Sequence, residues 1–140
     1  MKVLIAVDGS EYTKKALAFL VANDELLGTR GEVVVLNVQP PMPPRVITMV
    51  GAGVVHDFHK EEADKVLAPV NAFLDRHPVR FRSTWVVGQA GEEILTAAQA
   101  EKVQMIVMGT HGHGLLGRAL MGSVAQRVVT GSDVPVLLVK

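Results

Sequence analysis

Five short apolar segments alternate along this chain with longer segments in which apolar residues recur every three or four positions. The short segments are rich in valine, leucine and isoleucine, which is typical of strands buried on both faces of a parallel sheet. The longer segments are typical of amphipathic helices that cover such a sheet. The predicted strands are residues 3–7, 32–38, 79–87, 103–108 and 134–139, and the predicted helices are residues 11–27, 54–76, 92–102 and 122–130.

Serine, glycine and proline mark the predicted ends of these elements. Ser10 is a good N-cap for the first helix, and Gly28 is a good residue to end it. Prolines dominate residues 40–44, which predicts a long loop that continues through Gly51 and Gly53. Pro69 falls inside the predicted helix 54–76, so we expect a kink or break near residues 65–69. The predicted buried face of that helix carries Val55, Phe58, Val66, Val70, Phe73 and Leu74.

The composition narrows the classes of protein to consider. A chain of 140 residues, 49% hydrophobic and only 4% aromatic, predicts one domain with an aliphatic core. The formal net charge is zero, so long-range attraction to nucleic acid or anionic lipid is unsupported. The absence of cysteine excludes disulfides and thiolate catalysis. No apolar stretch approaches the ~20 residues of a membrane span, and no signal peptide is evident, so we expect a cytoplasmic protein.

A glycine-rich stretch, residues 109–123, lies between the fourth predicted strand and the last predicted helix. Glycine lets the backbone approach a ligand closely, and the free N–H groups at a helix start attract anions, so this position favours phosphate binding. The P-loop pattern is absent, because the chain has no Gly-Lys dipeptide. Gly112, Gly114 and Gly117 satisfy G-x-G-x-x-G. However, the strand that follows is the last one and no carboxylate comes after it, so a dinucleotide fold is disfavoured.

A third pattern, G-x-x-G followed by nine residues and G-[ST], fits Gly109, Gly112, Gly122 and Ser123 at every spacing. It resembles the ATP-binding signature of the universal stress protein family. The resemblance extends over the whole chain, residues 1–140, including the early segment 7–10 (Val-Asp-Gly-Ser) and the closing apolar segment 134–139. It implies a Usp domain that binds ATP, with Mg²⁺ where a divalent ion accompanies the phosphates, and that acts in stress response or signalling.

The resemblance also implies a fold. Alternating strands and helices predict a doubly wound α/β domain with helices on both faces. The family supplies the strand order 3-2-1-4-5, that of the adenine nucleotide alpha hydrolase-like fold. The carboxyl ends of strands one and four, carrying Asp8 and Gly109, would then meet at the switch point where such sheets bind ligands.

The family's ligand contacts can be carried over onto matching positions. The resemblance implies that Ala6, Val7 and Val38 flank adenine, that Asp8 contacts the ribose or adenosine end, and that backbone N–H groups of the loop face the phosphates. Asp8 could instead cap the first helix, and both roles are compatible. The implied cofactor-binding set is Ala6, Val7, Asp8, Val38, Met108, Gly109, Gly112, His113, Gly114, Leu115, Gly122, Ser123 and Val124.

Two other features could carry chemistry. His111 and His113 flank Gly112, and His56 and His59 lie three residues apart on a predicted helix. The histidines are interpreted as loop side chains and a polar helix face rather than as a transition-metal site, because a third ligand is missing from the pattern. Any metal would be Mg²⁺ held with the nucleotide, with Asp8 as a nearby carboxylate. The last strand, 134–139, is an apolar edge, and the family resemblance implies a homodimer through it.

Catalytic residues are not evident, and we assign none: no phosphotransfer signature or nucleophile–base pair is found. Three alternatives to an ATP-responsive protein stay open. They are a slow Mg²⁺-dependent ATPase or phosphotransferase, a module that binds AMP or cyclic AMP, and a scaffold that binds no nucleotide.

Overall fold

The computed structural model describes residues 1–112 and 121–140. Helices and strands alternate through these ranges, as the hydrophobic pattern predicts. The elements are β1 (Lys2–Ala6), α1 (Glu11–Ala22), a 3₁₀ turn (Asp24–Leu27), β2 (Glu32–Gln39), α2 (Pro44–Val50), α3 (Ala52–Asp75), β3 (Phe81–Val87), α4 (Ala90–Ala100), β4 (Met105–Gly109), α5 (Ser123–Gly131) and β5 (Val136–Val139).

The five strands form one parallel sheet in the order β3-β2-β1-β4-β5, so the predicted fold class is confirmed. In the centre, Leu4 of β1 lies opposite Val34 of β2 and Ile106 of β4. Because side chains alternate along a strand, β1 contributes to two cores. Val3 and Ile5 are fully buried in the core that contains the inner faces of α1 and α3. Leu4 is fully buried in the core that contains those of α4 and α5.

The largest differences from the predicted boundaries lie in the first helix and in the proline-rich loop. The first helix ends at Ala22, and the rest of its predicted length is a 3₁₀ turn that buries Leu27 and ends at Gly28, where φ is +72°. The proline-rich loop ends earlier than expected, because Pro44 occupies the first position of α2, where a helix needs no N–H. A positive φ of +88° at Gly51 then separates α2 from α3.

Helix α3 differs from its prediction in two further ways. It continues through Pro69 without a break, and Pro69 lies on the exposed side. Its buried stripe includes His59, which is 3% exposed, whereas Phe58 is 42% exposed. The apolar pattern predicts that Phe58 is buried and leaves His59 out of the buried face. The buried residues of α3 that face the sheet are Val55, His59, Ala63, Leu67, Val70 and Leu74.

No helix in the described part of the chain combines the length and the apolar character needed to cross a membrane.

Candidate functional site

A cavity of about 390 Å³ lies where the carboxyl ends of β1 and β4 run side by side. Strand residues form one side, and the first turns of α4 and α5 form another. Its lining is Ala6, Val7, Asp8, Leu36, Val38, Ala90, Ile94, Met108, Gly109, Thr110, His111, Gly112, Gly122, Ser123, Val124 and Ala125.

The structure therefore brings together residues that the sequence keeps far apart. Every predicted cofactor-binding residue within the described ranges lines this one cavity. These residues are Ala6, Val7, Asp8, Val38, Met108, Gly109, Gly112, Gly122, Ser123 and Val124. The other three predicted residues, His113, Gly114 and Leu115, lie outside the described part of the chain.

Asp8 serves both the first helix and the cavity. Its Oδ1 accepts hydrogen bonds from the backbone N–H of Ser10, at 2.9 Å, and from the hydroxyl of Thr13, at 2.7 Å. The helix cap itself is Ser10, whose Oγ accepts from the N–H of Thr13 at 3.3 Å. Asp8 thus organises the turn that leads into α1 while its side chain, half-buried, reaches the cavity wall.

Two glycines allow the segment after β4 to pass close to α1. A Cβ atom on Gly109 would lie 2.5 Å from the Cβ of Tyr12. A Cβ atom on Gly112 would overlap Oδ2 of Asp8, well inside van der Waals contact. These two positions of the glycine signature therefore have a steric reason that is visible in the protein itself, before any ligand is considered.

The start of α5 closes the other side of the cavity. The N–H of Gly122 donates to the carbonyl of Thr110 at 2.7 Å, which holds the helix start against the end of β4. Gly122 is the N-cap and supplies no side-chain hydrogen bond to the first turn. Ser123 and Val124 of the first turn line the cavity, and no N-cap side chain competes for the N–H groups of this turn, an arrangement that suits an anion.

Comparison with known proteins identifies the family of this chain. The universal stress protein family model matches residues 1–140. The chain belongs to the universal stress protein family. A universal stress protein of Thermus aquaticus is 36% identical over 141 residues, which span 99% of this chain and 97% of the relative.

A second relative links the family to a solved structure. Universal stress protein MJ0577 of Methanocaldococcus jannaschii is 32% identical over 154 residues, covering 99% of this chain and 94% of that protein. A solved structure of MJ0577 superposes with a TM-score of 0.86 at 30% identity, over 99% of this chain and 94% of the other. A universal stress protein from Archaeoglobus fulgidus, 22% identical, shares the fold with a TM-score of 0.77 over 100% of this chain and 98% of the other.

In this universal stress protein, His111 lines the cavity, although the sequence pattern indicates only a loop histidine and the predicted cofactor-binding set does not include it. Its Nδ1 lies 2.8 Å from Oγ1 of Thr110, and its ring centroid lies 4.9 Å from that of Tyr12. Its position between Gly109 and Gly112 was the available signal. The further lining residues Leu36, Ala90, Ile94 and Ala125 gave no signal, because their apolar character equally fits the core.

Two buried amide side chains, Asn37 and Gln39, stabilise the carboxyl end of β1 beside the cavity. The Nδ2 of Asn37 donates to the carbonyl of Val7 at 2.9 Å, and the Nε2 of Gln39 donates to Oδ1 of Asn37 at 2.7 Å. These two side chains are 2% and 8% exposed and lie near the end of β2. They hold the carboxyl end of β1 where it enters the site. Their signal in the sequence was the interruption of an apolar strand by two amides.

His59 is the exception among the buried polar side chains of the described ranges. Neither of its ring nitrogens has a hydrogen-bond partner there. His56, one turn earlier, is exposed and lies against Trp85 with ring centroids 5.6 Å apart. The interpretation of His56 and His59 as one polar helix face is therefore wrong for His59. Within residues 1–112 and 121–140, no three potential metal ligands are grouped closely enough to hold an ion.

Proposed function

We propose that this universal stress protein binds an adenine nucleotide, with Mg-ATP as the first candidate, in the cavity between β1, β4 and α5. In this proposal the nucleotide is a conformational ligand in stress response or signalling. The observation that carries it is the convergence of both halves of the glycine signature, Gly109–Gly112 and Gly122–Ser123, on one cavity that also contains Asp8.

The division of the lining into apolar and polar parts supports this class of ligand. Leu36, Val38 and Ile94 offer an aliphatic surface that suits a purine ring. Gly112 and Ser123 offer backbone N–H groups, and Ser123 also offers a hydroxyl, all of which suit phosphate oxygens. Asp8 supplies a carboxylate, which suits sugar hydroxyls.

Proteins of the same fold provide further support for an adenine nucleotide. Solved structures hold AMP in an Arabidopsis thaliana universal stress protein, dAMP in one from Archaeoglobus fulgidus, and cyclic AMP in a third. These proteins are 16%, 23% and 20% identical to this chain, so the support is at the level of the fold. They also make AMP or cyclic AMP the second candidate ligand.

Mg²⁺ is proposed only as a companion of the phosphates. Asp8 fits this role in part: it is a cavity carboxylate, but its Oδ1 already accepts two hydrogen bonds. When bound, Mg²⁺ would neutralise phosphate charge, and Asp8 or Ser123 would be the nearby oxygen ligands.

The first experiment is to denature the purified protein and identify any nucleotide that it releases. The emptied protein is then titrated by calorimetry with Mg-ATP, AMP and cyclic AMP. We expect micromolar binding of at least one of them, near −8 kcal/mol. If no nucleotide is released and none binds, the proposal is wrong. Inorganic phosphate release measured in the same samples, with and without Mg²⁺, tests the alternative of a slow ATPase.

We also propose that the protein is a homodimer through its C-terminal edge, residues 134–139. Strand β5 pairs with β4 along one side only in the described sheet, and all four of its residues are half-buried. Antiparallel pairing with the same strand of a second copy would cover this apolar edge. The expected cytoplasmic location and the expected lack of nucleic-acid binding stay predictions.

A further inference from the structure

Thr13 is a buried residue in the first turn of α1 that does not line the cavity but is bonded to a residue that does. It is 4% exposed. Its hydroxyl donates to Oδ1 of Asp8 at 2.7 Å, and its Oγ1 accepts from the backbone N–H of Asp8 at 3.0 Å. Thr13 therefore holds both the backbone and the carboxylate of Asp8.

This double contact restricts the Asp8 side chain to one orientation. With Oδ1 bonded to Thr13 and to the N–H of Ser10, rotation of the side chain would break two hydrogen bonds at once. In this orientation Oδ2 lies against Gly112, the second glycine of the signature. The hydroxyl of Thr13 thus sets where the carboxylate lies relative to Gly112.

Helix capping does not require the Thr13 hydroxyl. Ser10 is the N-cap, and it receives the backbone N–H of Thr13 rather than its side chain. Threonine is also a poorer helix former than alanine. Since the hydroxyl contributes nothing to the cap, its two bonds to Asp8 are what it supplies at this position.

We propose that Thr13 is a positioning residue for nucleotide binding, which acts by holding the Asp8 carboxylate in its place on the cavity wall. The proposal rests on the proposed function. It assigns to Thr13 no contact with the nucleotide itself.

The test compares Thr13→Val, which keeps the shape and removes the hydroxyl, with Thr13→Ser, which keeps the hydroxyl. We expect Thr13→Val to bind Mg-ATP about tenfold more weakly, because the carboxylate loses a hydrogen bond that orients it. Thr13→Ser should bind Mg-ATP with an affinity within about twofold of the wild type. Calorimetry measures the affinities, and the fluorescence of Trp85, the single tryptophan, checks that each variant is folded.

A double-mutant cycle separates positioning from general damage. In an Asp8→Ala background, adding Thr13→Val should change the affinity little further, because the group that Thr13 positions is gone. Leu74→Ala is the control for stability: it removes buried methyl groups near the end of α3, where the chain leads into the amino end of β3. That control should unfold more easily and bind normally.

Three results would overturn the inference. Normal Mg-ATP binding by folded Thr13→Val would show that the hydroxyl does not matter. An equal loss with and without Asp8 would show that Thr13 acts by another route. Failure of Thr13→Ser to recover binding would point to packing rather than hydrogen bonding. If the wild type itself binds no nucleotide, the proposed function fails first and this inference fails with it.

Discussion

The absence of a Cβ atom at two glycines allows the segment after β4 to lie close to α1 and to Asp8. Gly109 lies against Tyr12, and Gly112 lies against Asp8. Neither glycine has the positive φ that would demand it for backbone reasons. Both positions are explained by space: a side chain on either residue would push the cavity-lining segment away from the end of β1.

Gly112→Val should weaken Mg-ATP binding by at least tenfold while the protein stays folded. The added side chain overlaps the Asp8 carboxylate, so either the loop or Asp8 must move out of the cavity wall. Calorimetric titration measures the affinity. The matched control is Gly53→Ala in the first turn of α3, where an added Cβ meets nothing within 4 Å. This control should bind normally and be more stable by about 0.5–1 kcal/mol. Wild-type affinity in folded Gly112→Val would remove the loop from the proposed site.

His59→Leu should stabilise the protein by about 1 kcal/mol. Both ring nitrogens of His59 are buried without a partner in the described ranges, so the native state bears a desolvation cost that leucine does not. Urea unfolding followed by Trp85 fluorescence gives the free energy. Lys60→Leu, at the exposed position next to His59, serves as the control and should change stability by less than about 0.5 kcal/mol. A large loss of stability in His59→Leu would mean that the ring has a partner after all.

At the scale of elements, ion pairs join the amino ends of three strands to the end of α4. Glu101, which follows α4, bonds to Lys2 of β1 and Arg82 of β3, and Arg82 also bonds to Glu32 of β2. These side chains are 27% to 46% exposed, so each pair contributes little alone. Together they link the amino ends of β1, β2 and β3 to the end of α4, which are distant in the sequence.

The Glu101 network predicts a pH dependence of stability. Hydrogen bonds from Lys2 and then Arg82 lower the pKa of Glu101 below its ordinary value of 4.5. Because the folded pKa is the lower one, the stabilisation is present above pH 4.5 and is lost as the pH falls through the folded pKa. Glu101→Gln should therefore cost up to about 1 kcal/mol at neutral pH and almost nothing in acid below the folded pKa.

Urea unfolding of both proteins across this pH range measures the difference. Glu11→Gln is a suitable control, because Glu11 pairs only with Lys14 among the described residues and is 76% exposed. It should show no comparable change. A difference between Glu101→Gln and the wild type that is the same at neutral and acid pH would contradict the network's electrostatic role.

At the scale of the whole molecule, the candidate binding cavity and the Glu101 ion-pair network lie at opposite ends of the parallel strands. All strands point the same way, so their carboxyl ends share one edge, where the cavity lies, and their amino ends share the other, where the Glu101 network lies. Among residues 1–112 and 121–140, β3 and β5 are the two edge strands of the sheet. Strand β5 has no charged residue, whereas β3 carries Arg82. This difference favours β5 as the edge that pairs with a second copy.

Leu138→Pro should convert the proposed dimer to a monomer. The carbonyls of Pro135 and Val139 accept hydrogen bonds from the N–H groups of Ile106 and Thr110, so alternation turns the N–H of Leu138 towards the outer edge. Proline removes that donor while leaving the bonds to β4 in place. Size-exclusion chromatography coupled to light scattering gives the molecular mass. Val87→Pro, whose N–H points outward on the opposite edge strand β3, is the control and should stay dimeric. A wild-type monomer would refute the dimer.

Much of the fold, and most of the residues that line the candidate site, were predictable because the signals are local. The apolar runs around Leu4, Val34 and Ile106 predict buried strands, and the spacing from Gly109 to Ser123 predicts a phosphate-binding loop. The family resemblance then supplied the strand order. The errors arose where a local rule was outweighed. Pro69 stays helical because the opposite side of α3 buries Leu67 and Val70, and packing there offsets the lost hydrogen bond.

The sequence by itself determined the alternation of strands and helices and the glycine signature, because both depend on residues within a few positions of one another. Only the tertiary structure decided that His59 rather than Phe58 faces the sheet, and that Thr13, Asn37 and Gln39 support the carboxyl end of β1. The physical reason is that these contacts join groups on different elements. Hydrogen-bond partners of this kind are chosen by how the sheet and its helices pack, and no periodicity along the chain records that choice.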